Sequence, residues 1–95
     1  MQFASIGKLL WHTNNYARDR RAGQVMQAMG VVAGSPDLMM FYKGKLYAFE
    51  LKSAKGRQNT AQKEWQKQFE EQGGDYYIIR DVMQFVSVVT KIIKW

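Results

Sequence analysis

Two nearly continuous apolar runs, Leu38-Met39-Met40-Phe41-Tyr42 and Leu46-Tyr47-Ala48-Phe49, flank the dipeptide Lys43-Gly44. The pattern predicts two strands over residues 37–52 joined by a two-residue turn. Tyr42 then pairs with Lys45, and the numbers of every pair sum to 87. Alternation puts Leu38, Met40, Tyr47 and Phe49 on one face and Met39, Phe41, Leu46 and Ala48 on the other. Both faces are apolar, as expected for the centre of a sheet covered on each side.

The remaining periodicity fills in the other elements. Residues 7–12 read as a first strand, followed by the polar break Thr13-Asn14-Asn15 and the charged loop Arg18-Asp19-Arg20-Arg21. Residues 22–29 read as a short helix that Gly30 ends. After a basic loop over Ser53 to Asn59, a helix runs from 60 to 72, with Trp65 and Phe69 inward and Lys63, Lys67, Glu70 and Glu71 outward. Asn59 and Gln62 have the spacing of a capping box, and Gly73-Gly74 stops this helix. Tyr76 to Arg80 reads as a strand. Asp81 then caps a last helix whose Val82, Phe85, Val86, Val89, Ile92 and Ile93 keep helical spacing, although their β-branching also suits a strand. The order is β-α-β-β-α-β-α, an α/β fold with a small mixed sheet flanked by helices, and residues 1–95 form one domain.

The register carries a chemical consequence. It sets Asp37 directly opposite Glu50, with Lys52 on the same face as Glu50. Directly opposed residues have β-carbons roughly 4.5–5.5 Å apart, where like charges repel. Two carboxylates in that position destabilise the sheet unless a cation lies between them. The alternative is a salt-bridge cluster at the strand ends, in which Lys52 alone balances two acids.

Composition narrows the class. Apolar content of 46% suits a folded domain. The absence of cysteine removes disulfides, thiolate metal sites and a cysteine nucleophile, and fits an intracellular protein. No apolar run approaches the ~20 residues of a membrane span, and no signal peptide opens the chain. The net charge of +6 favours a polyanionic partner, nucleic acid first. Lys55, Arg57 and Lys63 near the acidic pair, and Arg20 and Arg21 before it, are the candidate phosphate contacts. His12 and Trp11 in the first strand, and Trp65, read as packed residues rather than as a base or as stacking platforms.

The motif Pro36-Asp37, twelve residues, Glu50-Leu51-Lys52 resembles the PD-(D/E)XK nuclease superfamily. Taken with Gly34-Ser35, Phe49, Gly56, Thr60 and Gln62, it looks like the virus-type replication-repair nuclease (VRR-NUC) domain, over about residues 8–80. The resemblance implies a restriction-endonuclease-like core that hydrolyses DNA and leaves 5′-phosphate and 3′-hydroxyl ends. It also implies Mg²⁺ or Mn²⁺ held by Asp37, Glu50 and the Leu51 carbonyl, with Lys52 and Gln62 as further catalytic residues. Branched DNA as substrate, a homodimeric state and a cytoplasmic setting in a bacterial or phage-infected cell follow from the same likeness. The family's usual glutamate on a helix ahead of the first strand has no counterpart, since no acid precedes Asp19. That departure supports an alternative, a degenerate module of the same fold that binds nucleic acid or a protein partner. It also implies a partly uncovered sheet, for the last helix or a second subunit to cover.

Overall fold

The structure, a computed structural model, describes residues 9–13 and 34–94. Four strands form one sheet in the order β1 (Leu10–His12), β2 (Leu38–Tyr42), β3 (Lys45–Leu51), β4 (Asp75–Ile79). The first three are antiparallel and β4 runs parallel to β3, so the sheet is mixed. A parallel neighbour requires a crossover, and helix α1 (Thr60–Glu71) supplies it. Helix α2 (Val82–Ile93) follows β4. The expected helix over 22–29, the charged loop at 18–21 and the polar residues Asn14-Asn15 lie outside the described residues.

The β2–β3 register is the one the turn dictates, from Leu38 opposite Phe49 to Tyr42 opposite Lys45. Lys43 and Gly44 both have positive φ, 50° and 79°. That pair of left-handed residues matches the right-handed twist of the strands, and glycine adopts it without strain.

The two faces of the sheet carry separate clusters. On one, Met40, Phe49, Ile79 and Val89 are buried and pack with Leu38, Tyr77, Phe85 and Ile92 beneath α2. The Phe49 ring stacks on Tyr77 at 5.7 Å and meets Phe85 edge-on at 5.3 Å. This apolar stripe decides the last element as a helix despite its β-branched residues, because packing outweighs weak propensity. On the other face, Met39, Ala48 and Tyr76 are buried against Trp65 and Phe69 of α1. Trp65 and Phe69 stack at 4.8 Å, as the inward spacing predicts.

Coverage of that second face is incomplete. Phe41 and Leu46, expected inside, are exposed, and so is Trp11, expected to pack. His12 is exposed as well. For Trp11, Phe41 and Leu46 the reason is the placement of α1, which packs against β4 and over Ala48 and Met39 and, among the described residues, leaves β1 and the Lys43-Gly44 end of the hairpin only partly covered. Leu9, Trp11, Phe41 and Leu46 form an apolar area there, each between 40% and 43% exposed. No helix among the described residues is long and apolar enough to cross a membrane.

Candidate active site

The antiparallel ladder ends at Leu38–Phe49, and the next step outward brings Asp37 opposite Glu50. Asp37 lies in a bend just before β2. Its carbonyl accepts from the Thr13 amide at 3.0 Å, and its carboxylate Oδ2 accepts from the Leu51 amide at 2.8 Å. A continued ladder would have paired Leu51 with Pro36. Proline has no N–H to offer the Leu51 carbonyl, and the Pro36 carbonyl instead accepts from the Thr13 hydroxyl. Pro36 therefore ends the ladder where the acidic pair begins.

Glu50 is the one charged side chain buried among the described residues, at 2% exposure. Its Oε2 accepts from Gln62 Nε2 at 2.9 Å, while Oε1 is buried without a hydrogen-bond partner. Burial pushes its pKa up to about 7, the neighbouring Asp37 carboxylate adds to the rise, and Lys52 pulls it back. Desolvation and a like charge act together here, the combination that marks functional carboxylates.

Gln62 serves two purposes. Its Oε1 accepts from the Asn59 amide at 2.9 Å and Asn59 Oδ1 accepts from the Gln62 amide at 2.8 Å, completing the expected capping box. The first turn of α1 is thereby fixed with the Gln62 amide directed at Glu50. Gly34 sets the same turn from the other side. It has φ +89°, and a β-carbon there would overlap the Ala61 carbonyl and crowd the Gln62 amide. The segment leading into Pro36-Asp37 can approach α1 only through a glycine.

The architecture is similar to that of a solved "VRR_NUC domain protein", with a TM-score of 0.75 and 21% identity over 94% of this chain and 70% of that chain. The chain has the VRR-NUC fold. No family model and no curated protein matches it. The expected small mixed α/β sheet flanked by helices is thus the observed one.

Within the VRR-NUC fold, the donor set suits a hard divalent cation. Two carboxylates face each other, one of them keeps an unpartnered buried oxygen, and oxygen is the ligand such cations prefer. Among the described residues no third acid, histidine or cysteine joins the pair. Lys52 follows β3, its amide donating to the Ile79 carbonyl at 2.9 Å, and its charge acts on Glu50. Lys55 and Arg57 are exposed on the loop that follows Lys52. Lys63 faces outward on α1, lining a shallow groove with Gln66, Lys67, Glu70 and Glu71. Arg20 and Arg21 lie outside the described residues. His12 pairs with Leu38, which puts it on the opposite face of the sheet from Glu50. The Asp37–Leu51 contact was invisible in the sequence, because a side chain replacing a ladder carbonyl leaves no mark in residue spacing.

Proposed function

We propose that this chain is a divalent-metal-dependent endonuclease that hydrolyses DNA phosphodiester bonds, selective for branched structures such as junctions or flaps. One observation carries the reading: a buried glutamate with an orphaned oxygen, opposite a second carboxylate and beside a lysine, within a VRR-NUC fold. Asp37, Glu50 and the Leu51 carbonyl would hold Mg²⁺ or Mn²⁺, which supplies Lewis acidity toward the phosphate and a more acidic water. Lys52 offsets negative charge that develops on the phosphoryl oxygens as the attacking oxygen bonds to phosphorus and the bond to the 3′ oxygen breaks. Gln62 fixes the Glu50 carboxylate in one orientation. Lys55, Arg57 and Lys63 bind backbone phosphates, which set position rather than sequence.

The test is cleavage of labelled linear, flapped and four-way DNAs in Mg²⁺, Mn²⁺ and EDTA. Metal-dependent cutting of the branched substrates is expected, with ends bearing 5′-phosphate. A second reading, a degenerate module that binds DNA without cutting it, draws support from the presence of only two acids at the described site. Salt-dependent binding with no cleavage in either metal would select it.

The proposed working unit is a homodimer. The apolar area of Leu9, Trp11, Phe41 and Leu46 lies on the face that α1 leaves open, and small domains commonly complete their burial by two-fold association. Sedimentation at micromolar concentration is expected to give twice the 11.1 kDa chain mass, and Phe41→Lys is expected to return it to a monomer. A wild-type monomer that still cuts four-way junctions on paired strands would remove the dimer from this proposal.

A further inference from the structure

Arg80 lies one residue beyond β4 and belongs to none of the motifs described above. Its guanidinium Nη1 donates to three carbonyls of a single loop: Ser53 at 2.7 Å, Gly56 at 2.8 Å and Ala54 at 3.4 Å. That loop begins directly after Lys52. It turns back on itself, with the Gly56 amide donating to the Ser53 carbonyl at 3.1 Å. Gly56 comes to rest against the root of the lysine side chain, where an added β-carbon would lie 3.5 Å from Lys52 Cβ.

The base of the clamp is itself fixed. The Arg80 amide donates to Gln84 Oε1 at 2.7 Å, and Gln84 Nε2 donates to the Ile78 carbonyl at 3.1 Å. The Gln84 amide donates to Asp81 Oδ1 at 2.8 Å, so the first turn of α2 braces the end of β4. Two adjacent residues at that end thus hold Lys52 in different ways. Ile79 takes its amide through a carbonyl, and Arg80 gathers the loop that lies against the root of its side chain.

We propose that Arg80 is a positioning residue for phosphodiester cleavage: it clamps the turn Ser53–Gly56 against Lys52, so that the lysine ammonium keeps one placement toward the scissile phosphate. The proposal rests on the nuclease reading of the site. Three carbonyl dipoles pointing at one place repel each other unless a cation lies between them. The three carbonyls surround one nitrogen, which the rigid planar guanidinium holds one bond farther from the backbone than a lysine ammonium on its flexible stem can reach. The clamp therefore requires arginine and not simply positive charge.

The experiment compares Arg80→Lys and Arg80→Met with the wild-type chain. It measures the single-turnover cleavage rate at saturating DNA, the DNA Kd, and hydrogen exchange of the Gly56 amide. Arg80 is exposed, so both variants are expected to fold, which thermal melting checks. Both are expected to cut about tenfold more slowly or worse, since small misplacements of a catalytic group cost that much or more. The Kd is expected to stay within about threefold, and the Gly56 amide to lose protection in both. Full rescue of rate and protection by Arg80→Lys would overturn the clamp in favour of a charge effect. Unchanged Gly56 protection in Arg80→Met would overturn it outright. A wild-type chain that cuts nothing in either metal would overturn the nuclease reading and the catalytic role together, while Gly56 exchange would still decide the clamp.

Discussion

Glu50→Gln is expected to abolish cleavage while stabilising the metal-free protein at pH 8. The loss of activity, at least about 10³-fold, follows from removing half of the carboxylate pair that would hold the cation. The gain in stability follows from linkage. Burial and Asp37 raise the folded pKa of Glu50 from the ordinary 4.5 to about 7. Between those values the folded chain holds a proton that the unfolded chain has lost. Metal-free wild-type protein therefore loses stability as pH rises through that window, and the loss levels off above it. With the partial solvation of the site, the expected difference is about 1–2 kcal/mol. A neutral amide in the same shape removes it: it can donate to Asp37 and accept from Gln62. Asp37→Ala behaves differently, since it relieves repulsion but also strips the Leu51 amide of its acceptor, at about 1 kcal/mol. Thermal melts in EDTA at pH 5 and pH 8 check both. If Glu50→Gln melted lower than wild type at pH 8, the glutamate would be a salt-bridge partner of Lys52, and the metal argument would lose its basis.

The second large effect is expected at Lys52. Lys52→Met should lower the single-turnover rate by about 10²–10³-fold and leave the DNA Kd within a few-fold, because its charge acts where negative charge develops in the transition state. Arg57 supplies the contrast. It is exposed on the following loop, and Arg57→Ala should weaken binding and reduce the salt slope by about one unit if it meets a single phosphate. Measuring rate and affinity separately, across a salt series, distinguishes the two. Should Lys52→Met and Arg57→Ala alter affinity alike and leave the rate untouched, Lys52 would join the phosphate-binding loop and leave the catalytic group.

The parts of this molecule that sequence made readable are those governed by local rules. Lys43-Gly44 allows one hairpin register, and that register alone places Asp37 against Glu50. Asn59 and Gln62 announced the start of α1 through a reciprocal cap. What resisted reading depends on partners distant in the chain. Alternation assigned Phe41 and Leu46 to the correct face, but a face is buried only if something covers it, and α1 stops short. Trp11 was misjudged for the same reason. Arg80 showed no signal because its partners are main-chain carbonyls, which every residue possesses.

Gly34 changes how competence in such a chain should be judged. The acidic pair and Gln62 meet only because a segment without a side chain slides against the carbonyl of Ala61. A descendant carrying alanine there would retain Asp37, Glu50, Lys52 and Gln62 in unaltered spacing, yet the strand bearing the aspartate would be pushed off the helix bearing the glutamine. Counting chemistry-bearing residues would pass that chain as intact. The residue that separates a working copy from a silent one has no chemistry of its own, and inactivation by drift can begin at a position no inventory of functional groups would inspect.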